Sequence, residues 1–128
     1  MAQTGIQGSP IEHSLWMHRV IKDDPPSTIS NTRGRVTFAT SGPNSRTTQI
    51  FFNFGDNSFL DKQGFTPIGE IITGLDVLEK LYFKYGEGGK GDGSDNRGPS
   101  QGRITREGNA YLNKIFPQLS YIVKADIT

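Results

Sequence analysis

The chain has 128 residues, a mass of 14.1 kDa, a net charge of +1, 33% hydrophobic residues, 16 glycines and no cysteine. That length is one domain, and the near-neutral charge argues against a nucleic-acid or membrane-surface protein, which needs a basic excess. The missing cysteine excludes disulfides, thiolate metal sites and a cysteine nucleophile. No stretch approaches the ~20 apolar residues of a membrane span. Met1 to Gly8 has neither the basic start nor the apolar core of a signal peptide, and the sequence leaves the compartment unknown, with the cytoplasm only a default.

Residues 1–10 carry Gly5, Gly8 and Pro10, which break any helix or long strand. Ser14 to Ile21 reads as a short strand or the rim of a loop, stopped by Asp23-Asp24-Pro25-Pro26. Arg35 to Thr40 reads as a strand with Val36 and Phe38 on one face. After the Ser41-Gly42-Pro43-Asn44 loop comes a second strand, Gln49 to Phe54. Alternation puts Ile50, Phe52 and Phe54 on one face and Gln49, Phe51 and Asn53 on the other, so Phe51 is a large aromatic between two polar residues. Thr66 to Ile72 reads as a third strand, with Pro67 at its start.

Residues 74–85 have helical spacing of Leu75, Leu78, Leu81, Tyr82 and Tyr85, with Thr73 and Asp76 at capping-box separation. Gly86 supplies the stop. Residues 86–102 hold seven glycines and almost nothing apolar, a flexible surface loop. Arg106 to Phe116 is a candidate second helix ended by Pro117, and Tyr121 to Ile127 alternates as a final strand.

Several chemical motifs fail on spacing. His13 and His18 are five apart, which misses the separation that puts two ligands on one helix face. Asp92 to Asn96 begins like a calcium loop, but its sixth position is Arg97 and its twelfth Arg103. Gly86 to Gly91 matches a phosphate loop in glycine count alone, because Lys90 is followed by Gly91 rather than Ser or Thr. No Gly-x-Ser-x-Gly elbow occurs.

One ordered set of words does hold. Arg33-Gly34-Arg35-Val36-Thr37-Phe38-Ala39, Gly42-Pro43-Asn44, Thr48-Gln49-Ile50-Phe51-Phe52, Phe59-Leu60-Asp61 and the run from Gly69 to Leu78 together resemble the cyclophilin family of peptidyl-prolyl isomerases. Met1-Ala2-Gln3 looks like the end of that family's Phe-Met-x-Gln segment. The Gly-rich loop and the Arg103 to Phe116 region depart from the best-known members. The resemblance implies a mainly β fold, an antiparallel barrel with its site on the outer face. Here it would be a single partial domain over 1–128, lacking the N-terminal strands and first helix and keeping one or two helices. Ile50, Phe52 and Phe54 would fill the barrel, and Gln49 and Phe51 would face the site.

The chemistry implied is rotation about an X-Pro amide, whose barrier is about 18–20 kcal/mol. No covalent step is needed. The enzyme must bind the twisted amide better than either planar form. By resemblance, Gln3, Gln49 and Phe51 are the catalytic-site residues, and Met1, Ala39, Thr40, Phe59, Leu60 and Phe65 bind substrate. Met1, Phe51, Leu60 and Phe65 would form the proline pocket, Gln3 and Gln49 would hold the substrate backbone, and Thr40 would line the groove through its main chain. Phe65 stands where the family often has His, and Phe59 where many members have Trp, which suggests weak cyclosporin binding through loss of the indole donor. Asn44 is expected to shape its loop. The partners implied are proline-containing polypeptides. Nucleic acid is not expected, and the family needs no metal or other cofactor.

The family's catalytic Arg precedes the Phe-Met-x-Gln segment and has no counterpart here. Arg33, Arg35 and Arg46 stand elsewhere in the motif. Loss of one preorganised donor typically costs about 10²–10³ in rate, so weak isomerase activity is expected, and full activity only with an upstream segment restored. The alternatives are a non-catalytic module that binds Pro-peptides, or a fragment of a larger cyclophilin. A barrel short of strands also leaves open edges and the apolar face of Ile50, Phe52 and Phe54, a surface for self-association.

Overall fold

Alternating Val36 and Phe38, and Ile50 and Phe52, build the two central antiparallel strands, β2 (Arg35–Phe38) and β3 (Ile50–Phe52). They pair Val36 with Phe52, Thr37 with Phe51 and Phe38 with Ile50. On the far side of β3 lies β1 (Ala2–Thr4), and on the far side of β2 lies β4 (Pro67–Glu70). The order β1-β3-β2-β4 is an open sheet, not closed into a barrel. The computed structural model describes residues 1–88, 91–94 and 97–128. Lys90 of the rejected phosphate loop and Asp95 and Asn96 of the rejected calcium loop lie outside the described residues.

The sheet packs in the opposite sense to that expected for a barrel. Thr37, Phe51 and Asn53 are buried, whereas Val36, Phe38, Ile50, Phe52 and Phe54 are only half-buried. The reason is a polar cover on the Phe51 side. Asn31, fully buried, bonds Thr37, Asp61 and the Phe65 carbonyl, and so holds the 3₁₀ helix Ser58–Gln63 against the sheet. The other face is not enclosed because the sheet does not curl round it.

The helices also differ from expectation. Ser14 to Ile21 forms no strand. Its first residues belong to α1 (Pro10–Trp16), which starts at Pro10 with Ser9 as N-cap and Glu12 in the first turn. Proline suits the first helical position because its missing N–H has no intrahelical partner there, so the residue read as a breaker is a starter. α2 (Leu75–Leu78) is one turn rather than the expected helix to Tyr85, and Gly74, not Thr73, precedes it without a side-chain cap. Beyond it, Lys80 and Leu81 bond carbonyls three residues back, and the Tyr82 N–H turns to Ser120 Oγ at 3.3 Å.

α3 (Gln101–Ile115) starts five residues earlier than the periodicity suggests, capped by Ser100. Gly108 interrupts it at φ 56° and ψ −142°. The Gly8 carbonyl enters that break and accepts the Asn109 N–H at 2.9 Å. A Cβ on Gly108 would stand 2.1 Å from that oxygen, so only glycine fits. Ile104, Tyr111 and Phe116 form the apolar core on this helix, with Tyr85 edge-on to Phe116 at 5.0 Å. The expected final strand is absent: Tyr121 to Thr128 is exposed and pairs with no strand.

Candidate functional site

The covered face of β3 gathers several of the candidate site residues. The register places Gln3 beside Phe51 across the β1–β3 pair, and Thr37 beside Phe51 across β2–β3. Gln3 Nε2 donates to Gln49 Oε1 at 2.8 Å. Gln49 Nε2 lies 3.5 Å from Gln101 Oε1, so the first residue of α3 extends a row of three glutamine amides. The Gln49 carbonyl accepts the Ala39 N–H at 3.0 Å, fixing the strand end that leads to Thr40.

Phe51 is 3% exposed. It faces the expected side but does not form an open pocket wall. The Phe65 ring covers it, edge to face at 5.8 Å and 70°. The accessible aromatic surface therefore belongs to Phe65, which lines two adjoining clefts of about 180 and 310 Å³. Thr40 and Pro43 line the first, Pro26 and Ile29 the second, and Asp23 and Gly64 both. Leu60 is half-buried on the 3₁₀ helix, and its carbonyl accepts the Phe65 N–H. Met1 and Phe59, expected to bind substrate, are 56% and 62% exposed.

A polar clasp lies beneath Phe65. Asn31 Nδ2 donates to Asp61 Oδ1 and to the Phe65 carbonyl, both at 2.7 Å, and Asn31 Oδ1 accepts from Thr37 Oγ1 at 2.7 Å. Asn57 and Asn53 continue the network at 2.8 Å. Donation by the Ser30 hydroxyl, then by the main-chain and side-chain amides of Asn31, holds the Asp61 carboxyl below the usual aspartate range. Its only sequence signal was the number of asparagines between strands, which reads equally as turn chemistry.

Asn44 takes the loop role expected of it. At φ 53° it accepts the Asp23 N–H through Oδ1 and donates its own N–H to Asp23 Oδ2 at 2.8 Å. Arg46 is buried, 2.7 Å from Asp24 and 3.3 Å from Asp23, with its guanidinium 5.4 Å from the Phe38 ring. Arg33 and Arg35 pair with Glu79 and Glu70. Each of these three arginines is thus committed to a carboxylate. Among the described residues no group of three or more His, Asp or Glu is placed to hold a metal, and no helix is long and apolar enough to cross a membrane.

The family model for the cyclophilin type peptidyl-prolyl cis-trans isomerase/CLD matches residues 1–109. The chain belongs to that family. It is 39% identical over 66 residues to a peptidyl-prolyl cis-trans isomerase of Acinetobacter baylyi, covering 48% of this chain and 35% of the relative. It is 35% identical over 87 residues to peptidyl-prolyl cis-trans isomerase B of Escherichia coli, covering 59% of this chain and 53% of the relative. A peptidyl-prolyl cis-trans isomerase-like 3 of Dictyostelium discoideum matches at 39% over 69 residues, 53% of this chain and 42% of that protein. The chain thus spans about half the length, or less, of these curated relatives.

Proposed function

We propose that this chain binds X-Pro segments of polypeptides and accelerates their cis-trans isomerisation weakly. Family membership supports the reaction class. The single observation carrying the assignment to these residues is the Gln3–Gln49 amide pair beside the Phe51–Phe65 stack on one sheet face. The two amides would hold the peptide on either side of the rotating bond, and the ring of Phe65, seated on Phe51, would take the prolyl ring. The main chain at Ala39 and Thr40 would line the groove, with Leu60 backing the aromatic wall. Phe59 and Met1 would contribute at the rim. On this reading the open sheet is an arc of the family's barrel, with Ile50, Phe52 and Phe54 on its interior side.

Catalysis would come from favouring the twisted amide over both planar forms, with no covalent intermediate. A second reading, binding without catalysis, is favoured by the commitment of Arg33, Arg35 and Arg46 to carboxylates, which leaves none of these three to stabilise the pyramidal prolyl nitrogen.

The test is exchange NMR of an X-Pro peptide titrated with the isotope-labelled 128-residue chain. The proposal expects shifts at the Thr40, Gln49 and Phe65 amides together with faster cis-trans exchange. Shifts without acceleration select the binding module. No shifts at these amides reject both.

A further inference from the structure

We propose that Gln101, the first residue of α3, is a positioning residue of the peptide-binding face, holding the Gln49 amide in the direction that reads a substrate backbone. The inference rests on the reading of that face as an X-Pro site and adds to it a residue from outside the sheet. Gln101 lies 52 positions after Gln49, and Gln3 lies 46 before it. The fold nevertheless brings the three amides into one row. Gln3 Nε2 donates to Gln49 Oε1 at 2.8 Å, and Gln49 Nε2 donates to Gln101 Oε1 at 3.5 Å.

A side-chain amide carries two N–H donors and one oxygen with two lone pairs. The row uses one of each on Gln49: an N–H toward Gln101 and a lone pair toward Gln3. One donor and one acceptor are left, which match the C=O and N–H that a substrate backbone offers. With Gln3 as its only neighbour, the Gln49 amide could turn freely about its last bond. With Gln101 accepting on the other side, turning Gln49 alone would set oxygen against oxygen and N–H against N–H. The outer contact is long in this form of the protein, and site hydrogen bonds often tighten only when substrate is bound.

Gln101 reaches the row from a firm base. Ser100 caps α3, its Oγ accepting the Arg103 N–H at 3.4 Å, and its own N–H bonds the hydroxyl of buried Tyr111 at 3.1 Å. Thr105 Oγ1 donates to the Gln101 carbonyl at 3.0 Å, and Ile104, one turn on, is buried in the apolar core. On the other side, the chain leaving β1 passes so close to the Thr48 carbonyl that a Cβ on Gly5 would collide with it. It then places the Gly8 carbonyl on the Asn109 N–H of α3. The two outer glutamines thus stand on segments tied to each other. The Gln101 side chain itself is exposed, so core packing does not explain its place.

The test titrates an X-Pro peptide without charged side chains into the isotope-labelled full chain and its variants. Gln101→Met keeps the side-chain length and removes the oxygen, whereas Gln101→Glu keeps an oxygen to accept the Gln49 N–H. Both are good helix formers at an exposed position, and thermal melts check that they fold. Gln101→Met should weaken binding about threefold to tenfold, and Gln101→Glu should stay within about twofold of the parent chain. In a Gln49→Ala background Gln101→Met should change nothing further, because it acts through Gln49. The Gln49 side-chain NH2 signals should already move in Gln101→Met before peptide is added. Full affinity in Gln101→Met, equal losses in the Met and Glu variants, or a further loss on top of Gln49→Ala overturns the proposal. If the Thr40 and Phe65 amides of the parent chain respond to peptide while Gln101→Met binds equally well, this proposal alone fails. If those amides do not respond in the parent chain, the underlying X-Pro reading fails with it.

Discussion

Asn31 donates its side-chain amide to the Phe65 carbonyl at 2.7 Å, joining residues 34 positions apart across the covered face of the sheet. The same side chain holds Thr37 and Asp61, so one buried amide sets the height of the Phe65 ring over Phe51. Asn31→Ala would leave Thr37 Oγ1 and the Phe65 carbonyl without this partner. We expect a loss of about 2–4 kcal/mol in urea unfolding, with faster amide exchange through residues 58–65.

Asp61 gives this clasp its pH dependence. Its folded carboxyl titrates below the ordinary aspartate value of 3.8 because Ser30 and Asn31 donate to the charged form. A depressed folded value means that its stabilisation is complete above the ordinary value and is lost as pH falls through the folded one. An NMR titration should show the Asp61 carboxyl carbon moving below pH 3.8, with the Phe65 amide moving in step. In Asp61→Asn the step at Phe65 should vanish.

Gly108 and Gly102, both in α3, should respond in opposite directions to alanine. Gly108→Ala forces a side chain into positive φ and against the Gly8 carbonyl, costing about 2 kcal/mol or more. At Gly102 the nearest atom to a new Cβ is the flexible Arg106 end at 3.5 Å. Gly102→Ala should therefore stabilise by about 0.5–1 kcal/mol through helix propensity. Thermal melts of the two variants compare them directly.

Peptide binding should separate the proposed contacts. Gln49→Ala removes the amide that bonds Gln3 and should weaken X-Pro peptide binding about tenfold. Phe65→Ala should cost more, about tenfold to a hundredfold, because it also uncovers Phe51. Phe59→Ala, at a side chain 62% exposed, should change affinity less than either. Fluorescence or NMR titration measures all three.

The two central strands, and the set of residues that shares a face with Phe51, were legible because period-two alternation and the ordered family words fall on the same residues, Val36 to Phe38 and Gln49 to Phe52. What alternation could not reveal was which face would be better covered. That depended on Asn31, a long-range hydrogen-bond hub whose local sequence reads as turn chemistry. The α1 start was written in Ser9-Pro10-Ile11-Glu12, where the helix-starting meaning of Pro10 outweighs its breaking one. The extra turns of α3 were hidden because Gly102 and Gly108 lower helix propensity, while the Ser100 cap and the Arg103–Glu107 pair at 2.8 Å favour the helix. The tail is the converse case: its pattern is that of a strand, and among the described residues no strand pairs with it.

The seat of the Gly8 carbonyl in the break of α3 has a consequence for how the protein is made. Gly8 emerges first, and its partner Asn109 is about a hundred residues later in synthesis. At ribosomal speeds of about 5–20 residues per second, the amino end waits roughly 5–20 seconds for that partner. During that interval β1 already has β3 to pair with, but α1 has no helix to lie against. During synthesis α1 therefore stays without its packing partner until α3 has emerged, and it is the segment a holding chaperone would meet.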